Sequence, residues 1–238
     1  MKPTGPGFSI QGPSGDPRLP NIVNFRPLGS GTLFSQRERI FRSGSLDAMT
    51  RSEAQVLKER YGIQASIDLR SRKERDSQSS TDILAEVGIL PTHCPIEGYP
   101  DDAIALATPT ADHYVNYYLS MVENARHAFR AAVEQIDSLV GYPQIVFCHA
   151  GKDRTGVLAA ILLDRAGLPA SDIAEDYRLS GDFIVARLDR FEEKWRARNL
   201  SRAEYAVRMR TDACVMLRFL EAMKRFKGGL ANYICGTP

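Results

Sequence analysis

The sequence predicts an α/β fold: a central, mostly parallel sheet flanked by helices, with a helical C-terminal portion. Three observations carry that expectation. Short apolar runs such as "IQASIDLR" and "PQIVFC" alternate with segments of helical period, and such alternation builds parallel sheets joined by helical crossovers. "PQIVFC" passes directly into "TGVLAAILLDRAG", a strand handing over to a helix. Beyond residue 170 only helical patterns remain.

Taken in order, residues 1–20 are dense in Pro, Gly and Ser, a composition that buries too little apolar surface to offset ordering entropy, and they are expected as a disordered tail. Residues 21–238 then form a single domain, with 170–238 as its helical part. "TRSEAQVLKERYG" carries a capping box, Thr50 with Glu53, and closes at Gly62, which defines a helix. "IQASIDLR" reads as a buried strand ending in Asp68 and Arg70, and "LPTHCPIEG" as a weaker one. After the loop "GYPDDAIALATPT", Tyr114, Tyr117, Tyr118, Met121, Val122, Ala125, Phe129 and Val133 recur at helical spacing through "ADHYVNYYLSMVENARHAFRAAVEQI". They form the core face of one long pattern. "PQIVFC" is a short buried strand, and the next helix stops at Gly167 and Pro169. Four helical segments follow: "ASDIAEDYRLSG", "DFIVARLDRFEEKWRARN", "SRAEYAVRMR" and "TDACVMLRFLEAMKRF".

Composition narrows the function classes. The chain of 238 residues is 43% hydrophobic and 25% charged, as expected of a soluble globular enzyme. A net charge of +2 supplies no field for nucleic acid, so any anion preference must be local. Cys94, Cys148, Cys214 and Cys235 are scattered, without a C-x-x-C pair, and are expected as free thiols. The N-terminal stretch has no apolar core of a signal peptide and no run has the length of a membrane span, so a cytoplasmic location, or export by a route that needs no such signal, is expected, without stable membrane insertion. The four histidines show no ligand spacing, and neither metal nor cofactor is expected.

The chemistry concentrates in "CHAGKDRTG", Cys148 to Gly156. Unpaired amides and the helix dipole converge on an anion where a strand's carboxyl end meets a helix N-terminus. His149, Ala150, Gly151, Lys152, Asp153, Arg154 and Thr155 complete the candidate phosphate loop with Cys148. A thiol attacks as the thiolate, which a helix N-terminus and neighbouring cations favour. Arg154 offers a planar fork suited to two phosphoryl oxygens, and the Thr155 hydroxyl can donate to the sulfur. A nucleotide-binding G-x-x-x-x-G-K-[ST] loop is excluded because Asp153 follows Lys152 and Val146 stands where the first Gly belongs. A cysteine protease has no use for an arginine six residues after its thiol.

This loop resembles the Cys-x5-Arg-Thr loop of protein tyrosine phosphatases, in particular the bacterial and fungal family whose loop reads H-C-x-x-G-K-D-R-T. The likeness extends through "NFRPLGS", "FRSGSLDAMT" and "IDLRSRKE", including Asn24, Arg26, Arg42, Asp68, Arg70 and Glu74, and covers roughly residues 21–180. It implies a tyrosine phosphatase-like fold and a cysteinyl-phosphate intermediate, with Cys148 as nucleophile and Arg154 as phosphate clamp. Phosphotyrosine in a protein or peptide is the implied substrate, with phosphoserine, phosphothreonine and phosphoinositides as further candidates. Phe147 replaces the family's frequent His, and Pro27 and Ser30 replace its usual Asp and Gly; losing the His removes one hydrogen-bonding partner for the thiolate.

Protonation of the leaving phenolate calls for a carboxylic acid. Asp153, in a loop position the resemblance implies to be catalytic but also able to serve the loop structurally, competes with Asp68 at the strand end, whose alternative role is holding Arg70 or another basic residue, and with Asp101 in "YPDD", which resembles the W-P-D loop of other tyrosine phosphatases but reads better as a solvated turn. Lys152 and His149 add basic character to the mouth, as suits a second phosphate. Cys94 is read as a buried thiol before a redox partner of Cys148, and Trp195 with the arginines from Arg187 to Arg210 as a solvated helical face. Two rival functions stay open: a phosphate-dependent binding module without turnover, favoured only by Phe147, and sulfur transfer through a persulfide.

Overall fold

A computed structural model of the chain describes residues 15–30, 32, 34, 39–77, 81–100 and 109–236. Five strands, β1 (Arg26–Pro27), β2 (Ile40–Ser43), β3 (Ala65–Asp68), β4 (Leu90–His93) and β5 (Gln144–Phe147), form one sheet in the order β1-β2-β5-β3-β4. β1 runs antiparallel to β2, and every other pairing is parallel. The fold class is therefore the expected α/β arrangement. β5 lies in the middle, and the register sets Ser43, Phe147 and Asp68 side by side at the carboxyl edge of three parallel strands. β2 escaped recognition because two of its four residues, Arg42 and Ser43, are polar although all four are buried.

Among the described residues the helices are α1 (Arg51–Glu59), α2 (Arg72–Ser77), α3 (Thr81–Glu86), α4 (Ala111–Asn124), α5 (Arg126–Ser138), α6 (Arg154–Arg165), α7 (Ala170–Val185), α8 (Glu192–Ala197), α9 (Arg202–Met209), α10 (Ala213–Lys227) and α11 (Leu230–Cys235). Successive strand residues face opposite sides of a sheet. Accordingly Val146 joins a core with Tyr118, Phe129, Leu158 and Phe219, while Ile145 and Phe147 join a second one with Leu57 and Leu84. A third, smaller cluster packs Ala150 of the candidate loop against Ile184, Leu188, Phe191, Trp195, Tyr205 and Met209. It fastens the C-terminal helices to the loop.

Local signals held where they were specific. Thr50 and Glu53 exchange the two hydrogen bonds of their capping box at the start of α1. The long pattern over 111–136 instead breaks at Ala125, a buried residue with φ −106° and ψ 24°; no Pro or Gly marks the break, so periodicity alone ran through it. Conversely, α7 continues through Gly181. A Cβ there would stand 2.6 Å from the Thr211 amide nitrogen, so this glycine serves close packing rather than helix termination. The expected tail also ends early: Asp16 and Leu19 are buried, Tyr61 Oη donates to Asp16 at 2.5 Å, and Arg187 donates to the Leu19 and Ile22 carbonyls at 2.7 and 3.1 Å. Composition does not reveal such partners, which lie far away in sequence.

Candidate active site

Residues 148–153 leave the end of β5 and lead into α6, whose N-cap Asp153 makes no side-chain capping bond. The first amides of the helix are thus left for a ligand. Three successive carbonyls of the loop are tied outward. Ser45 N donates to His149 O at 2.9 Å, Asn24 Nδ2 to Ala150 O at 3.2 Å and Gly151 O at 2.9 Å, and Arg42 Nη2 to Gly151 O at 2.7 Å. In a planar trans peptide the N–H points away from the preceding C=O. The amides of Ala150, Gly151 and Lys152 are thereby turned toward the opposite, concave side. Gly151 has φ +69°, and a Cβ on it would lie 2.3 Å from Ser43 O, so only glycine lets the loop pass so close to β2.

Behind the loop lies a buried polar cluster. Asp176 of α7 pairs with Arg42, accepts from Gly29 N at 3.1 Å and stands 3.9 Å from Arg26 Nε. Arg26 also donates to the Asp176 carbonyl at 2.6 Å, to Ser180 Oγ at 2.9 Å and to Asn24 Oδ1. Two guanidinium groups thus share one carboxylate. Burial, reinforced by the Arg42 charge, pulls Arg26 down to about 9.

In front of the loop, Cys148, His149, Ala150, Lys152, Asp153 and Arg154 line one cavity of about 370 Å³. Cys148 is 2% exposed. Glu74 of α2 grips Arg154 through two parallel hydrogen bonds, Nη1 to Oε2 at 2.6 Å and Nη2 to Oε1 at 2.8 Å. Burial opposes the Glu74 charge, but hydrogen bonds from Arg154 and Ser71 outweigh it and hold the carboxyl down to about 2. Burial likewise opposes the Arg154 charge, and Glu74 and Cys148 nevertheless raise it well above its ordinary value. Asp153 accepts a hydrogen bond from Tyr118 Oη at 2.7 Å.

Several expectations change here. Thr155 is buried, and its hydroxyl has no hydrogen-bond partner among the described residues, so it does not donate to the sulfur. The Lys152 ammonium does not project from the mouth: it donates to Arg208 O at 2.9 Å and lies 4.0 Å from the centre of the Tyr114 ring. Burial, followed by the nearby Lys194 charge, lowers His149 to about 4, so near neutral pH it is uncharged and adds no positive field. Asp68 reaches the expected sheet edge, yet it is buried and held by Arg70 through Nη2 at 2.8 Å and Nε at 3.0 Å, away from the cavity wall. Asp101 lies outside the described residues. Cys94 is half-buried and does not line the cavity. Phe147 packs in the second core with the Arg70 guanidinium 5.5 Å from its ring centre.

The C-terminal helices form a wall of the site rather than a solvated face. Arg198, Tyr205, Arg208 and Met209 line the cavity, and Trp195 and Arg208 are buried. Arg196 and Arg202 do remain in exposed ion pairs with Glu192 and Asp189. Sequence reasoning assigned no role of their own to Glu74, Asp176 and Tyr118. Glu74 had a signal, since Ser71 and Glu74 exchange capping hydrogen bonds at the start of α2. Asp176 had one too, a carboxylate at helical spacing between buried Ile173 and Ser180. Among the described residues no group of three or more His, Cys, Asp or Glu is placed to hold a metal, and no helix is long and apolar enough to cross a membrane.

Comparison with known proteins follows the same lines. A tyrosine-protein phosphatase of Nostoc commune is 26% identical over 151 residues, which span 60% of this chain and 48% of that protein. The triple specificity protein phosphatase PtpB of Mycobacterium tuberculosis is 26% identical over 208 residues, 74% of this chain and 72% of the relative. The core catalytic domain of the PP-IP phosphatase SIW14 from S. cerevisiae, solved with citrate, is 16% identical with a TM-score of 0.44, covering 74% of this chain and 93% of that one. The sequence profile described as "Tyrosine phosphatase family" matches residues 17–237. The chain belongs to the tyrosine phosphatase family.

Proposed function

We propose that the chain is a cysteine-dependent phosphatase that hydrolyses phosphotyrosine through a cysteinyl-phosphate intermediate. The observation that carries this reading is the convergence of Cys148, Arg154 and the inward-turned loop amides on one cavity whose clamp Glu74 has already oriented. Cys148 Sγ attacks phosphorus as the bond to the phenol oxygen breaks, while Arg154 and the amides take up the charge on the phosphoryl oxygens. Asp153 donates its proton to the departing phenolate. It then accepts one from the water that attacks the sulfur–phosphorus bond, releasing phosphate and restoring the thiolate. Asp153 is assigned this role over Asp68 because it lines the cavity, whereas Asp68 is occupied by Arg70.

The lining of the site favours an aryl substrate: Cys148 is buried, and Ile96, Tyr99, Tyr114 and Tyr117 line the same cavity, offering apolar and aromatic surface to a phenyl ring. The breadth in the mycobacterial relative's name makes phosphoserine and phosphothreonine the next substrates to examine. The exposed Arg198 in the wall makes phosphoinositides a further class. A thiol nucleophile fits a reducing, cytoplasmic setting. The test is phosphate release from a panel of phosphopeptides and phosphoinositides with chelator present. Turnover on phosphotyrosyl peptides is expected. Binding without release would convert the reading into that of a phosphate-dependent binding module.

A further inference from the structure

A chain of two buried phenols ends on the assigned acid. Tyr118 of α4 donates to Asp153 Oδ1 at 2.7 Å, and its oxygen lies 2.8 Å from Tyr177 Oη of α7. A phenol has a single proton. With that of Tyr118 committed to Asp153, the proton between the two phenols belongs to Tyr177, and the chain runs from Tyr177 to Tyr118 to Oδ1. Burial, followed by the Asp153 charge, pushes both phenols well above their ordinary value, so they remain donors throughout the working pH range. Of the other groups around Asp153, Lys152 Nζ stands 3.9 Å from the same oxygen, and Tyr99, Tyr117 and Tyr205 are near enough to feel the Asp153 charge.

We propose that Tyr118, backed by Tyr177, is a positioning residue that selects the protonation site of Asp153: by holding Oδ1 it leaves Oδ2 to carry the transferable proton. As the bond from Cys148 Sγ to phosphorus forms and the bond to the phenol oxygen breaks, the Oδ2 proton moves to that oxygen. In the second half-reaction a water proton returns to Oδ2. Neither tyrosine touches the reacting atoms. This inference rests on Asp153 being the acid, and the experiment separates the two claims.

Tyr118→Phe keeps the ring in the core and removes the hydroxyl, which is both the donor to Asp153 and the acceptor of the Tyr177 proton. kcat and KM are measured against pH on a phosphotyrosyl peptide and on para-nitrophenyl phosphate, whose leaving group needs little protonation. The expected result is a loss of about tenfold in kcat on the peptide, the scale of a hydrogen bond to a charged group. KM and the nitrophenyl reaction should change little. Tyr177→Phe should act in the same direction and less, and Tyr118→Phe should add no further leaving-group effect in an Asp153→Asn background. Equal losses on both substrates would overturn the positioning role while leaving-group dependence in Asp153→Asn still stood. Absence of that dependence in Asp153→Asn would overturn both claims. Should Tyr118→Phe fail to fold, Tyr177→Phe decides by the same readouts.

Discussion

On the back of the 148–154 loop, Asn24, Arg26, Arg42 and Asp176 are each exposed by 3% or less. On the front, Asp153 and Glu74 keep 25% and 36% of their side chains in reach of solvent. Both regions are rich in charge, but they use it differently. The back commits most of its donors to fixed partners, the loop carbonyls and one carboxylate, with Arg26 Nε and Arg42 Nε the exceptions among its guanidinium donors. The front leaves Cys148 and one oxygen of Asp153 uncommitted, and holds Arg154 in the cavity wall through Glu74. The contrast shows a division of labour, in which the buried cluster sets the direction of the amides and the front acts on what they bind.

The comparison can be broken first at the nucleophile. Cys148→Ser should lower turnover by on the order of a thousandfold or more while phosphopeptide binding and thermal stability persist, because a hydroxyl occupies the same cradle but attacks far more weakly. Steady-state kinetics beside calorimetric binding check this. On the back, Asp176→Asn should act in the opposite way, costing about 3–5 kcal/mol of stability by leaving two buried guanidinium groups without a counter-charge. Denaturant melts measure it, and an unchanged midpoint would show that the cluster does not hold the loop. Arg154→Lys should lower kcat/KM by roughly a hundredfold with little change in melting, since one ammonium cannot replace a bidentate fork.

The smallest effect concerns His149, at the border of the two regions. Its folded value of about 4 lies below the ordinary histidine value of 6.5. Between those pH values the unfolded chain takes up a proton that the folded chain does not, so stability falls as pH drops from 6.5 to 4. Thermal melts over that window should show a shallower decline for His149→Gln than for the parent chain. Identical slopes would place the acid sensitivity elsewhere.

Legibility in the sequence follows the same front–back division. The loop from Cys148 to Thr155 is contiguous, so residue types and spacing sufficed to place it between β5 and α6. Asn24, Arg26 and Arg42 came only through resemblance, because their contacts with 150, 151 and 176 span more than 100 residues. Tyr118 and Asp176 lie on apolar-periodic helix faces, and periodicity reports burial without saying which buried group makes a polar contact. Asp68 shows the converse. Its place at the sheet edge was legible, and so was its alternative role, a carboxylate held by Arg70 two residues away, which the hydrogen bonds match.

The central claim is that Cys148 carries the phosphoryl group between the two half-reactions. Mixing the enzyme with a phosphotyrosyl peptide, quenching in acid within the first turnover and mapping the modified residue by mass spectrometry tests it directly. The phosphoryl group is expected on Cys148, and in Asp153→Asn it should accumulate further with para-nitrophenyl phosphate, which needs little acid assistance to form the intermediate but still needs a base for its hydrolysis. Full phosphate release with Cys148 never labelled, or with the label on another side chain, would contradict it.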